Sequence, residues 1–161
     1  MTNHTDSEQS FTQLLLEEIA GIKVLLDLLQ QEYQLLQSRS PELLEALTRK
    51  KQQQIENLNA SVNRHNLFLQ QLELPANREG VVAFLQQLPL NAPSRAHWHE
   101  FQSLLEGCRK QNEINGSLLV QSQRQASQAL DLLLGINPTQ KTYGPAGESR
   151  SNHLPNSLGK A

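Results

Sequence analysis

Histidine, cysteine, carboxylate and carboxamide side chains are the groups in this chain that could bind a metal, attack a substrate or grip a partner's backbone. Their spacing sorts these chemistries. A di-metal centre inside a helical bundle needs Glu-x-x-His pairs turned inward, and the sequence has none. His97 and His99 are two residues apart, so a helix turns them to different faces. The lone Cys108 precludes an internal disulfide and falls on an apolar stripe, where a free cysteine acts as a small hydrophobe. No sequence neighbour would activate it as a nucleophile. A glycine-rich phosphate loop and a GxSxG turn are both missing. The sequence therefore predicts neither an enzyme nor a bound metal or cofactor.

What remains is carboxamide chemistry. Asn112 and Asn115 share one helical stripe, and Gly116 follows them. Two readings stand side by side: a seam asparagine fixes register and partner number, or the two amides are offered to the backbone of a bound segment. Gly116 lowers helix propensity by about 1 kcal/mol relative to alanine, which suits close approach by another backbone better than it suits the helix. His65 also lies on a seam, where a partly buried, hydrogen-bonded imidazole is expected.

Long helices must position these groups. Trp98, Phe101, Leu105, Cys108, Asn112, Asn115, Leu119, Ser122, Ala126, Ala129 and Leu133 follow one another in steps of three and four, which predicts a continuous helix of about 40 residues starting near Pro93 or Ser94. A first helix begins after Ser7 or Ser10 and runs to about Gln37, with Phe11, Leu15, Ile22, Leu25, Leu29 and Leu36 on its seam. The short turn Ser38-Arg39-Ser40-Pro41, with Ser40 as cap and Pro41 at the first helical position, forces the second helix back antiparallel. That helix carries Leu44, Leu47, Lys51, Ile55, Leu58, Val62, His65, Leu69 and Leu72 and stops before Pro75. Between Leu74 and Ser94, the repeat of Val81, Val82, Phe84, Leu85 and Leu88 predicts a short third helix that returns the chain. At about 60 Å for 1.5 Å per residue, the last helix outruns its neighbours, so one end should overhang.

The expected fold is all-α: an elongated antiparallel bundle of three long helices and one short one over residues 10–135, after a flexible 1–9 and before a disordered tail, 136–161. Among the 161 residues, one Trp, two Tyr and four Phe argue against a thick globular interior. A formal net charge of -2 gives no basic field for nucleic acid. Arg49-Lys50-Lys51, flanked by Glu45 and Glu56, reads as a solvated face. Met1 to Ser10 lacks the apolar core of a signal peptide, and no apolar run reaches the roughly 18 residues of a membrane span, so a cytoplasmic protein is expected. In the tail, Lys141, Arg150 and Lys160 face Glu148 alone. The island Tyr143-Gly144-Pro145-Ala146-Gly147 has no core to join and suits docking.

The run Asn112-Glu113-Ile114-Asn115-Gly116-Ser117-Leu118-Leu119, followed by Gln125 to Leu133 and then Tyr143-Gly144-Pro145-Ala146-Gly147, resembles the FlgN family of flagellar export chaperones. An Asn-x-x-Asn-Gly-x-Leu-Leu pattern in the last long helix and a Tyr-Gly-x-x-Gly element in the tail carry the likeness. The resemblance implies a cytosolic chaperone that holds the C-terminal segments of hook–filament junction proteins unassembled until export. It also implies delivery to the type III export gate, with Tyr143, Gly144 and Gly147 docking on the gate's cytoplasmic domain. Ala146 stands where some relatives carry an acidic residue, which would weaken that docking. A client presented as an amphipathic helix needs exposed apolar side chains. The last helix offers Leu118, Leu119, Leu130, Leu132, Leu133 and Leu134 beside Asn112, Asn115 and Gly116. The alternative is a structural coiled-coil subunit that fills the same seam with its own copies and binds no client.

Overall fold

The structure, a computed structural model, describes the backbone of residues 4–133, 142–143 and 149–150, and side chains over 5–129. Four helices follow in order: α1 (His4–Ser38), α2 (Pro41–Gln71), α3 (Arg78–Gln86) and α4 (Pro93–Leu133). A two-residue antiparallel pairing joins β1 (Thr142–Tyr143) to β2 (Ser149–Arg150), with Tyr143 opposite Ser149. The chain divides into two units, Met1–Leu118 and Leu119–Ala161. Among the described residues, no helix is long and apolar enough to cross a membrane.

The all-α bundle is as expected, with two local differences. α1 starts at His4, ahead of Ser7 and Ser10. Asp6 lies in its first turn, where a carboxylate complements the helix dipole, and Glu8 one turn on accepts from Ser94 Oγ at 3.5 Å. Ser40 takes the N-cap position of α2 with Pro41 behind it, yet its side chain makes no capping bond. Instead the Ser40 and Ser38 hydroxyls lie 3.3 Å apart. The proline signal set this boundary and the serine side chain did not.

The other boundaries have visible causes. α2 closes on a six-residue C-cap: Leu74 N–H donates to Leu69 O at 2.9 Å and Glu73 N–H to Gln70 O at 3.0 Å, with Glu73 held at φ 58. α3 opens on Asn77, whose Oδ1 accepts from Gly80 N–H at 3.1 Å. At its far end, Arg95 donates to the carbonyls of Leu85 and Pro89 at 2.5 and 3.0 Å, supplying the acceptor-rich helix end with a cation.

Within the first unit, α2 runs antiparallel to α1. Gln54 Nε2 donates to Gly21 O at 2.8 Å, and Arg64 pairs with Glu17 at 2.8 Å. α4 runs parallel to α1 in a constant register. Ser94 meets Glu8, Cys108 meets Ile22 and Asn115 meets Leu29, each pair separated by 86 residues. α3 supplies the turn-round, and its Val81, Phe84 and Leu85 plug the space between Phe11, Leu15 and Leu69. There the Phe11 ring lies 4.9 Å from Phe84 and 5.8 Å from Phe68, and Phe68 meets Phe84 edge-on. A second cluster, Ile22, Leu29 and Cys108, sits further along between α1 and α4.

Candidate functional site

The stripe that predicted α4 divides in two. Phe101, Cys108 and Asn115 turn toward α1, with Cys108 and Asn115 buried and Cys108 Sγ 3.8 Å from Ile22 O. Trp98, which also packs against the Phe11 cluster, Leu105 and Asn112 line a cleft of about 1170 Å³, whose lining Phe101 and Cys108 reach as well. Leu105 is 51% exposed there. An alternating three-and-four repeat records which residues leave water but not which neighbour they meet, so this division was hidden in the sequence.

The cleft lies wholly within the first unit. Its floor is α1, through Leu25, Leu29 and Glu18; one wall is α2, through Ile55, Val62, His65 and Leu69; the other is α4. Trp98 stacks on Phe101 with ring centroids 5.3 Å apart, stiffening the α4 wall. From Trp98 to Asn112 this wall spans about 21 Å, and from Lys51 to Leu69 the opposite wall spans about 27 Å. Polar groups mark both ends, Lys51, Arg109 and Asn112 at one and Asn66, Asn77 and Arg78 at the other, and Gln102 and Glu106 lie along the α4 wall between them. Two helices that both pack on a third leave a trough of this kind, which one further helix would fill. The volume exceeds the range of about 300–1,000 Å³ usual for small-molecule pockets.

Asn115 is committed inside the fold. Its Nδ2 donates to Leu29 O at 2.8 Å and to Glu32 Oε2 at 2.7 Å, while its Oδ1 accepts from Gln111 at 3.0 Å. Glu32 in turn accepts from Lys51 Nζ at 2.5 Å. The chain Gln111–Asn115–Glu32–Lys51 thus ties α4, α1 and α2 together, which is register fixing by a seam asparagine. Asn112 is exposed and lies at the end of the cleft. Gly116 is exposed, and a Cβ there would meet nothing within 4 Å. Leu118 is half-buried, and Leu119 and Val120 are 45% and 51% exposed.

The side chains of Leu130, Leu132, Leu133 and Leu134 lie outside the described residues, as do Gly144 and Gly147. Tyr143 is described only through its backbone pairing with Ser149.

His65 is buried, as its seam position implied, but its partner was unforeseen. Nδ1–H donates to the Glu18 carboxylate, with both oxygens at 3.0 Å. Glu18 itself is 1% exposed. A glutamate among Leu15, Ile19 and Ile22 reads from sequence as surface, and only its distance of three residues from the seam position Leu15 hinted at burial. Cys108 is buried, and desolvation pushes its thiol above the ordinary range. Among the described residues, no cluster of three or more His, Cys, Asp or Glu could hold a metal.

The site thus offers an apolar trough with polar ends, suited to binding a chain segment. A family model described as "FlgN protein" matches residues 1–151. Comparisons with curated proteins and with solved structures return no match.

Proposed function

This chain belongs to the FlgN family of flagellar export chaperones, and on that premise we propose that the trough between α2 and α4 receives a helical C-terminal segment of a hook–filament junction protein in the cytoplasm. The client would lie on Leu25 and Leu29 between Val62 and Leu105, with the Asn112 amide at one end. An amphipathic helix laid in a groove buries its apolar face and leaves its polar face wet, which keeps an assembly-prone segment from other partners. Ordering that segment costs conformational entropy, so the complex stays reversible, as delivery requires. No cofactor or nucleic acid enters this reading, nor any reaction on the client.

The observation that carries the proposal is a trough walled by three helices of one chain and open along its length, with Val62 41% and Leu105 51% exposed inside it. Tyr143, Gly144 and Gly147 would dock on the cytoplasmic domain of the export gate, apart from client binding. Ala146, in place of an acidic residue, would make that docking weaker.

One observation favours a second location for the client: Leu119 and Val120 are also exposed. In that reading they combine with Leu118, Leu130, Leu132, Leu133 and Leu134 as the apolar strip, beside Gly116. Calorimetric titration of a junction-protein C-terminal peptide against Leu105→Lys and Leu119→Lys separates the two. The trough predicts affinity lost at least tenfold in the first and kept in the second; the reverse pattern moves the client to the strip. If the chain instead uses its exposed apolar side chains for self-association, light scattering will show a tight oligomer without client.

A further inference from the structure

The two ends of the trough differ in charge. At the Lys51 end both cations already have acidic partners: Lys51 Nζ lies 2.5 Å from Glu32, and Arg109 lies 2.6 Å from Glu106 and pairs also with Glu113. On the floor, Glu18 is buried and bonded to His65. At the other end Arg78 is exposed on the rim, and no carboxylate among the described residues pairs with it. Glu79, the next residue, is not part of the lining. A guanidinium stays charged at any ordinary pH, and water solvates that charge without neutralising it. The helices are unbalanced in the same sense. α1 and α4 run parallel, so their positive N-terminal ends both lie toward Arg78, together with that of α3. Only α2 brings a negative C-terminal end there.

We propose that the client helix lies in the trough with its C-terminal end at Arg78, parallel to α2 and antiparallel to α1 and α4, and that its terminal carboxylate pairs with the Arg78 guanidinium. The inference rests on the proposed placement of the client between α2 and α4. Because that client is the C-terminal segment of its own chain, the negative end of its helix and its terminal carboxylate arrive at the same place. In this direction four helices stand two against two, and their dipoles offset one another; reversed, three would stand parallel against one. The reversed client would also bring its positive end to Arg78 and its carboxylate toward Glu32, Glu106 and Glu113. The trough thereby rejects an apolar stripe that fits only backwards.

Trp98 reads the direction. It is the single tryptophan of the chain and stands at the Arg78 end, packed against the cluster that holds Leu69 and Val81. A tryptophan-free junction-protein C-terminal peptide is given a nitroxide on a cysteine in its first helical turn or in its last, and Trp98 fluorescence is followed as each is titrated into the unaltered full chain. A nitroxide quenches only at short range, and the α4 wall is about 21 Å long. The last-turn label should quench Trp98 strongly and the first-turn label little. Stronger quenching from the first turn, or equal quenching from both, overturns the inference and leaves the client in the trough. A peptide that does not bind, or that binds with neither label quenching, removes the proposed placement and the inference with it.

A double-mutant cycle tests the pairing. The unlabelled peptide, with a free or an amidated C-terminus, is titrated into the unaltered chain and into Arg78→Gln. Amidation should cost about threefold in affinity for the unaltered chain and nothing for Arg78→Gln, as befits an exposed ion pair. Equal costs in both proteins overturn the pairing with Arg78.

Discussion

Single residues do three separable jobs in this chain. Asn115 holds register: its amide ties the α1 backbone and Glu32, and through Glu32 it reaches Lys51 on α2. Asn115→Ala leaves a buried carbonyl and a carboxylate oxygen without their donor, and stability in urea unfolding should fall by about 1–3 kcal/mol. A change within error would mean that the network contributes nothing net. Cys108 fills space, and burial holds its thiol above the ordinary range. Labelling by a disulfide reagent at neutral pH should therefore be slow in the folded chain and fast in denaturant. Glu100 tunes the acid limb. The hydrogen bond from Lys23, and then the charges of Lys23 and His97, hold its carboxyl below the ordinary range despite partial desolvation. A carboxyl depressed in the folded state contributes stability above its unfolded pKa and loses it as pH falls through the lower folded value. Glu100 is exposed, so Lys23→Ala should make only a small difference, present near neutral pH and vanishing as the pH falls through the carboxylate range, in a pH series of melting curves.

At the scale of elements, the boundaries were legible because they are written locally. Pro41, Pro75 and Pro93 bracket the helices, and the Val81–Leu88 repeat gave the short third helix. Partner choice was not legible. A three-and-four repeat cannot say whether Leu105 faces α1 or a trough, and nothing in the local sequence announces that Glu18 meets His65, 47 residues on. Two of the helical glycines, Gly80 of α3 and Gly116 of α4, make the same point. At Gly80 an added Cβ would lie 1.8 Å from Pro75 O, so the backbone on both sides would have to move. At Gly116 it would meet nothing. Gly80→Ala should lower the melting temperature by an amount equivalent to about 2 kcal/mol or more. Gly116→Ala should raise it by up to about 1 kcal/mol equivalent through helix propensity alone. Destabilisation by Gly116→Ala would show that the position is under a constraint other than space and propensity.

For the whole molecule, the trough lies within Met1–Leu118 and Tyr143 lies beyond it, and the proposed function gives client binding to the first and gate docking to the second. Tyr143→Ala should leave unfolding and peptide affinity unchanged while lowering export of the client in a secretion assay. A parallel loss of affinity would contradict the division. The fold class and the family could be read from sequence; the trough emerged only when α4 was placed parallel to α1 at a separation of 86 residues. The most direct test installs a photo-crosslinking side chain at Val62 on one wall, at Leu105 on the other and at Leu119 beyond them, and adds a junction-protein C-terminal peptide. Crosslinks from Val62 and Leu105 to one stretch of about four helical turns, with none from Leu119, are predicted. Crosslinks from Leu119 alone, with both walls silent, would contradict the account.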